Sequence, residues 1–270
     1  MSSGSMDPHQ LLTLARRSPE FVGAHDLDGW RGLFAPGGRV EDPVGTPPCT
    51  KGSEEVDGLV RFWRTFIAPN RIWFEDRLDR VGKRSVARDV FIHMRMSTGL
   101  ESVVPAYLLY DFEPTPEGPR IQRLAAHWEA SRASKRMLAQ GRLGKLTVLA
   151  STARIFRHLG LAGGRDYLRG TQGGVRQMGK DRALAFAEAW RARDVRALRA
   201  LCPEIELDDE RLDDVALERA TRVAFTLEEP RASGPTVAAR LARKDAPHGL
   251  GFFDFERGAL KRARLYGIAG

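Results

Sequence analysis

Apolar residues recur at helical spacing early in the chain and at every second position afterwards. From 7 to 34, and again from 54 to 66, they follow an i, i+3, i+4 pattern that predicts amphipathic helices. Four alternating runs, bounded by turn residues, then predict strands over 72–80, 85–96, 103–113 and 120–128. Helices followed by a meander of strands predict an α+β unit, with helices packed on one face of a curved antiparallel sheet.

Two segments of the second half repeat segments of the first half in the same order. "AHDLDGWRGLFA" (24–35) is similar to "ARDVRALRALCP" (192–203), and "YDFE" (110–113) is similar to "FDFE" (253–256). We therefore predict two units of similar structure, the first over 7–130 and the second over 178–270. The second is shorter, and we expect fewer strands in it.

The segment 131–177 between the two units is predicted to be a basic helical linker. The range 129–182, which includes this segment, contains twelve Lys/Arg and three Asp/Glu, whereas the whole chain has a net charge of +8. Three interpretations are open: a connector whose arginines face water, an amphipathic helix on an anionic membrane surface, or a nucleic-acid site. Nucleic acid is the weakest, because the arginine excess can reflect genome base composition and the glycines lack phosphate-loop spacing.

Composition narrows the class of protein further. The chain has no run of eighteen apolar residues and no apolar stretch near its N-terminus, so neither a membrane span nor a signal peptide is expected. Two cysteines form no framework, and six scattered histidines show no ligand spacing. We expect a cytoplasmic protein with no metal and no organic cofactor.

The candidate chemistry lies in "VEDPVG", where Glu41 and Asp42 precede a proline and a Pro-Pro loop. Two interpretations of Asp42 are open: an acid that caps an Asp-Pro turn in water, or an acid held in a pocket.

A family resemblance rests on this motif and its surroundings. "LFA", "VEDPVG", the helix "EVDGLVRFWRTFI" and the final strand "RIQRLAAHW" resemble the Δ5-3-ketosteroid isomerases, within the nuclear-transport-factor-2-like and SnoaL-like superfamily. The resemblance covers about 18–128 well, 180–270 weakly, and the middle segment not at all. It implies two cone-shaped units, the second degenerate, which pair through their sheets as an intramolecular pseudo-dimer.

The resemblance also implies a reaction. Asp42 falls on the base that moves a proton between two carbons beside a ketone, in a flat hydrophobic ligand such as a steroid or polyketide. The two positions of the family's oxyanion donors hold Ser18 and Leu108, so the alternative is a binding protein without catalysis. In the second unit, Asp209 falls on the base position without the proline loop, and we expect no chemistry there.

His93 is the expected replacement donor. Strand alternation places Phe91, His93 and Arg95 on one face, and the family's alignment puts that face inside the cone. The other interpretation is a histidine packed in the core. Asp89 would share the face of His93 and fix its tautomer, while His127 would face solvent or the second unit. The expected cavity wall comprises Phe34, Trp63, Phe91, Ala106, Leu108, Leu124, Ala126 and Trp128.

Overall fold

The computed structural model describes residues 6–53, 57–244 and 248–268. Its first half contains three helices: α1 (Pro8–Ala24), α2 (Leu27–Gly32) and α3 (Gly58–Phe62). The third follows the first two strands and continues into a π-helical turn at Trp63–Ile67. Six strands make its sheet: β1 (Phe34–Glu41), β2 (Cys49–Thr50), β3 (Arg71–Val81), β4 (Ser85–Arg95), β5 (Glu101–Thr115) and β6 (Gly118–His127). The strand order is β2-β1-β6-β5-β4-β3, and β1 runs parallel to β6.

The middle segment and the second half follow. Two helices, α4 (Ala130–Leu138) and α5 (Gly141–Gln172), precede the helices of the second half: α6 (Arg176–Arg191), α7 (Val195–Leu201) and α8 (Asp214–Ala220). The second sheet has six strands: β7 (Glu204–Leu207), β8 (Glu210–Arg211), β9 (Thr226–Ser233), β10 (Thr236–Ala242), β11 (Gly249–Glu256) and β12 (Ala259–Tyr266). Their order, β8-β7-β12-β11-β10-β9, is that of the first sheet. The predicted α+β class is confirmed.

The similar segments of the two halves also share local geometry. Asp26 and Asp194 cap α2 and α7, and each side chain accepts a hydrogen bond from the backbone N–H three residues later. The residue before each cap has a positive φ of 57°. Both "DFE" segments carry a β-bulge between the aspartate and the phenylalanine. The sequence similarity therefore marks positions where backbone geometry restricts the choice of residue.

Two details of the predicted elements are wrong. The helical pattern through residue 34 ends earlier, because His25 takes a left-handed conformation after α1 and Phe34 already begins β1. The strand was not predicted because a proline and two glycines in "FAPGGRVE" interrupt the alternation of apolar and polar residues. The second sheet has as many strands as the first, whereas we expected fewer. The strands β7 and β8 escaped prediction because they are too short to show alternation. Residues 54–56, the predicted start of the second helix, lie outside the described residues; α3 begins at Gly58.

The two sheets pack face to face through a shared core. Ala87, Tyr107 and Leu109 of the first sheet contact Phe252 and Tyr266 of the second, and all five side chains are buried. Charged groups surround this core in pairs, among them Arg264 with Asp111 at 2.9 Å, Arg77 with Glu229 at 2.9 Å, and Arg240 with Asp89. One half of the chain therefore covers a sheet face of the other. None of the described helices is long and apolar enough to cross a membrane.

One close contact between the halves is made by backbone alone. Gly45, in the loop after β1, lies so close to Gly234 that a Cβ on Gly45 would fall 2.5 Å from the Gly234 Cα. Gly45 has a φ of 98° and Gly234 a φ of 52°, a region that favours glycine. The Ser233 hydroxyl donates to the carbonyl of Val44 at 3.0 Å. The turn between β9 and β10 thus holds the loop that follows Asp42.

Candidate functional site

A cavity of about 530 Å³ occupies the concave side of the first sheet. The sheet contributes alternate inward residues, mostly aliphatic, from each of its long strands: Val40, Ile72, Phe74, Ile92, Met94, Val104, Leu108, Tyr110, Leu124 and Ala126. Helices α1 and α3 and the π-helical turn close the sides. Its size and apolar lining suit a small hydrophobic molecule.

Residues 130–172, which comprise α4 and α5 and are called the roof segment below, cover the mouth of this cavity. Met137, Val148 and Ile155 line it from above. The Tyr167 ring stacks on Phe66 at 5.1 Å. The helix α5 bends at Gly160, whose φ of 73° and ψ of 177° interrupt the helix. Sequence reasoning gave this segment a linking role, whereas in the structure it forms one wall of the cavity.

The two adjacent acids of "VEDPVG" have opposite surroundings, because neighbouring residues of an extended strand point to opposite faces. Glu41 pairs with Arg123 at 2.8 Å and with Arg39 at 3.1 Å. Burial alone would raise the pKa of Glu41, but the hydrogen bonds and charges of Arg123 and Arg39 lower it to about 2. Asp42 lies on the cavity face.

Among the described residues, no lysine, arginine or histidine lies within hydrogen-bond distance of the Asp42 carboxylate. Its carboxylate accepts one hydrogen bond, from the indole Nε1 of Trp128 at 2.5 Å. Burial raises the pKa of Asp42 to about 6, and the hydrogen bond from Trp128 opposes this rise. The Tyr167 hydroxyl donates to the Asp42 backbone carbonyl at 3.4 Å. A carboxylate with such a pKa can accept and return a proton near neutral pH.

Removing the indole donor should raise the pKa of Asp42 further. In Trp128→Phe the carboxylate stays enclosed but loses its one stabilising hydrogen bond, so the pKa should rise from about 6 to about 7. The carboxyl carbon signal of Asp42, followed by NMR through a pH titration, measures this. The matched control is Trp73→Phe, because Trp73 is an exposed tryptophan on β3. This substitution should leave the pKa of Asp42 unchanged. An unchanged or lower pKa in Trp128→Phe would contradict this account of the site.

Further polar groups meet on the cavity wall near β5. Ser18 of α1 lines the cavity and accepts a hydrogen bond from the Trp30 indole at 3.2 Å. Tyr110 also lines it; burial raises the pKa of the Tyr110 hydroxyl, and the charge of Arg88 opposes this rise. Sequence reasoning missed Tyr110, although it lies two residues from Leu108 and thus on the same strand face.

Strand register places Tyr110 relative to Asp42. Leu124 of β6 pairs with both Val40 and Tyr110, so Tyr110 is level with a position two residues before Asp42. Strand spacing and rise put their Cα atoms about 12 Å apart, across β6. Both side chains reach the same cavity from this separation.

Of the eight expected wall residues, four line the cavity: Leu108, Leu124, Ala126 and Trp128. The expectation is wrong for the other four. Phe34 and Trp63 pack on Trp30, at 4.9 and 5.4 Å between ring centroids, and belong to the core beside the cavity. Ala106 is fully buried in the same core, and Phe91 lies on the opposite sheet face under the Arg77 guanidinium.

His93 does not face the cavity. Its imidazole stacks on the exposed Trp73 and lies 3.1 Å from a carboxylate oxygen of Glu75, on the outer face of the sheet. Its neighbours Ile92 and Met94 face inward. The uniformly apolar alternation of Val90, Ile92, Met94 and Met96 was the sequence signal for the inner face, and the alignment with the family was one residue out of phase.

Three further residues discussed in the sequence analysis, Asp89, His127 and Asp209, lie between the two halves. Asp89 is buried and accepts from Arg77 and Arg240, so it does not orient His93. His127 is buried against Phe252, with ring centroids 5.0 Å apart, and therefore faces the second half. Asp209 accepts hydrogen bonds from Ser85 and Tyr266.

No protein-family model and no curated protein matches the chain. Three solved structures illustrate the likenesses. A Mycobacterium tuberculosis protein in complex with estradiol-17β-hemisuccinate is 25% identical, covers 44% of this chain and 92% of its own, and has a TM-score of 0.37. The epoxide hydrolase/cyclase-like SalBIII of salinomycin pyran ring formation is 19% identical, with 45% and 92% covered and a TM-score of 0.39.

The third is the Δ5-3-ketosteroid isomerase of a Mycobacterium species, 22% identical over 46% of this chain and 95% of its own, with a TM-score of 0.38. Likenesses with TM-scores of this size do not assign the chain to a family.

Proposed function

We propose that the first unit binds a flat hydrophobic ketone of the steroid or polyketide class and that Asp42 transfers a proton between two of its carbons. The observation that carries the proposal is one carboxylate, with its pKa raised to about 6, on the wall of a mainly apolar, roofed cavity. A catalytic base works best when its pKa lies near the pH at which it operates.

The proposed reaction needs no other reactant. The Asp42 carboxylate removes a proton from the carbon between the ketone and a carbon–carbon double bond, and the electrons move to the ketone oxygen as an enolate. The protonated Asp42 then delivers that proton to the far carbon of the double bond, while the carbonyl re-forms. The product is a conjugated ketone, and the carboxylate is restored.

Ser18 and Tyr110 are the groups that we propose to stabilise the enolate oxygen. The positive charge of Arg88 opposes the rise in the pKa of the Tyr110 hydroxyl, so it favours donation of the Tyr110 proton to a developing negative charge. A donor polarised by a guanidinium is a strong one. This pair would replace the donor that Leu108 cannot supply.

Proton transfer is tested with a 3-oxo-Δ5 steroid. Wild-type protein should form the conjugated enone, measured by ultraviolet absorbance, and should exchange the proton beside the ketone with deuterated solvent, measured by NMR. Asp42→Asn should lower both rates at least about a hundredfold, because the base is lost. Tyr110→Phe should lower them about tenfold or more while ligand affinity changes less.

The alternative is a non-catalytic binding protein, and the apolar Leu108 on the cavity wall at a donor position favours it. Steroid binding without proton exchange, unaffected by Asp42→Asn, would establish that alternative. If the protein shows neither steroid binding nor proton exchange, both hypotheses are wrong. Trp73→Phe serves as the matched control, since Trp73 lies on the outer face of the sheet and is exposed.

The proposal extends to the organisation of the chain. We propose a ketosteroid isomerase-like unit over 7–130, a linking segment over 131–177 and a second, degenerate unit over 178–270, paired as an intramolecular pseudo-dimer. The equal strand orders and the core shared by the two sheets support this division. A cytoplasmic location stays a prediction.

A further inference from the structure

The outer surface of the roof segment exposes large apolar side chains. Leu146 and Leu149 are 58% and 67% exposed, and Leu161, just after the bend at Gly160, is 80% exposed. Ala153 continues the same helix face, opposite the inward-facing Val148 and Ile155. The helix α5 is thus apolar on two sides, and only the inner side has a partner in the structure.

The roof segment also carries the net charge of the protein. Residues 130–172 contain nine Lys/Arg and one Asp, a net charge of +8, which equals that of the whole chain. Arg142, Lys145 and Arg157 are exposed beside the leucines, and none of the three forms an ion pair within the described residues. The rest of the chain is electrically neutral.

We propose that the roof segment docks onto an anionic lipid bilayer. The leucines would enter the boundary between headgroups and acyl chains, and Arg142, Lys145 and Arg157 would contact lipid phosphates. A helix that presents leucines among lysines and arginines matches both layers of such a surface.

Two other occupants fit less well. Nucleic acid would satisfy the cations but offers no apolar layer to bury Leu146, Leu149 and Leu161. A second copy of the chain would bury the leucines, but would bring together two segments that each have a net charge of +8. An anionic bilayer complements the charge and the apolar residues at once.

The position of this surface gives docking a consequence. The roof segment separates the docking surface from the cavity by the thickness of one helix, so a ligand dissolved in the membrane would lie next to its binding site. This consequence rests on the proposed function; docking does not, and it is measured without any steroid.

Vesicle co-sedimentation of the full chain tests the proposal. With phosphatidylcholine vesicles that include phosphatidylglycerol, wild-type protein should sediment at least about tenfold more strongly than with phosphatidylcholine alone, and high salt should weaken this. Leu146→Ser with Leu149→Ser should weaken binding about tenfold or more. Charge reversal at Arg142, Lys145 and Arg157 to glutamate should do the same.

Matched controls use the second half of the chain. Leu184→Ser with Val215→Ser removes two exposed apolar side chains there, 40% and 61% exposed. Charge reversal of the exposed Arg191, Arg219 and Lys261 to glutamate changes the net charge equally. Binding in both controls should stay within about twofold of wild type.

Several results would overturn the proposal. They are the absence of vesicle binding, binding that persists in the leucine variant, and an equal loss in the controls. A dimer in light scattering that dissociates in the leucine variant, without vesicle binding, would assign the surface to a second copy. RNA binding that charge reversal abolishes and the leucine variant leaves intact, again without vesicle binding, would assign it to nucleic acid.

Discussion

Asp42→Asn should stabilise the protein by about 3 kcal/mol at about pH 8 and change its stability little below about pH 4. The pKa of Asp42 is about 6 in the folded protein, against the ordinary value of 3.8 that applies when the chain unfolds. Between these values the folded state binds more protons than the unfolded state. Wild-type stability therefore falls as the pH rises through this window, and the variant avoids the loss.

Urea unfolding of both proteins across this pH range measures the effect. Other groups that titrate, such as His127, do so in both proteins and cancel in the difference. Glu41→Gln is the matched control, because the pKa of Glu41 is lowered to about 2 and its loss should destabilise the protein at neutral pH. An Asp42→Asn variant that is less stable than wild type at about pH 8 would contradict the enclosed, unpaired carboxylate.

Phe252→Ala should destabilise both halves of the chain together, by about 3–5 kcal/mol. Phe252 is fully buried in the core between the sheets, with its ring 5.0 Å from that of His127 and 6.0 Å from that of Tyr266. The truncated side chain leaves a cavity that neither sheet can fill without moving relative to the other. Its cost therefore falls on the first half as well as on the second.

A single spectroscopic probe can separate the halves. Trp190 is the one tryptophan of the second half, so in a Trp190→Phe background the fluorescence reports on the first half alone. In that background Phe252→Ala should lower the urea midpoint of the fluorescence transition. Val215→Ala, at an exposed position of α8, should leave it in place. If Phe252→Ala leaves the urea midpoint of this first-half transition unchanged, the two halves unfold independently.

Local patterns predicted the long elements of the first half well. The strand predicted over 85–96 is β4 (Ser85–Arg95), and that over 72–80 is β3 (Arg71–Val81). Alternation succeeds there because every second residue that faces the cavity is apolar, as are Ile72 and Phe74 of β3 and Ile92 and Met94 of β4. It fails for β1, where a proline and two glycines replace the alternating residues, and for β7 and β8, which are too short.

The candidate site was predictable only in part. Asp42 follows from a local motif, whereas the inward orientation of Ile92 and Met94 required a choice between two faces that both carry apolar residues. The roof segment is harder still. An apolar stripe shows that a helix will be covered, but the identity of the covering surface depends on contacts distant in sequence, such as that of Tyr167 with Phe66.

The contact of Gly45 with Gly234 has a consequence for how the protein tolerates dilution. In an assembly of two chains, a loop held by the partner loses its support when the concentration falls below the dissociation constant. Here the turn that supports the Asp42 loop belongs to the same chain, so its local concentration is fixed by covalent connection. The geometry around the carboxylate should therefore be the same in a scarce protein as in an abundant one.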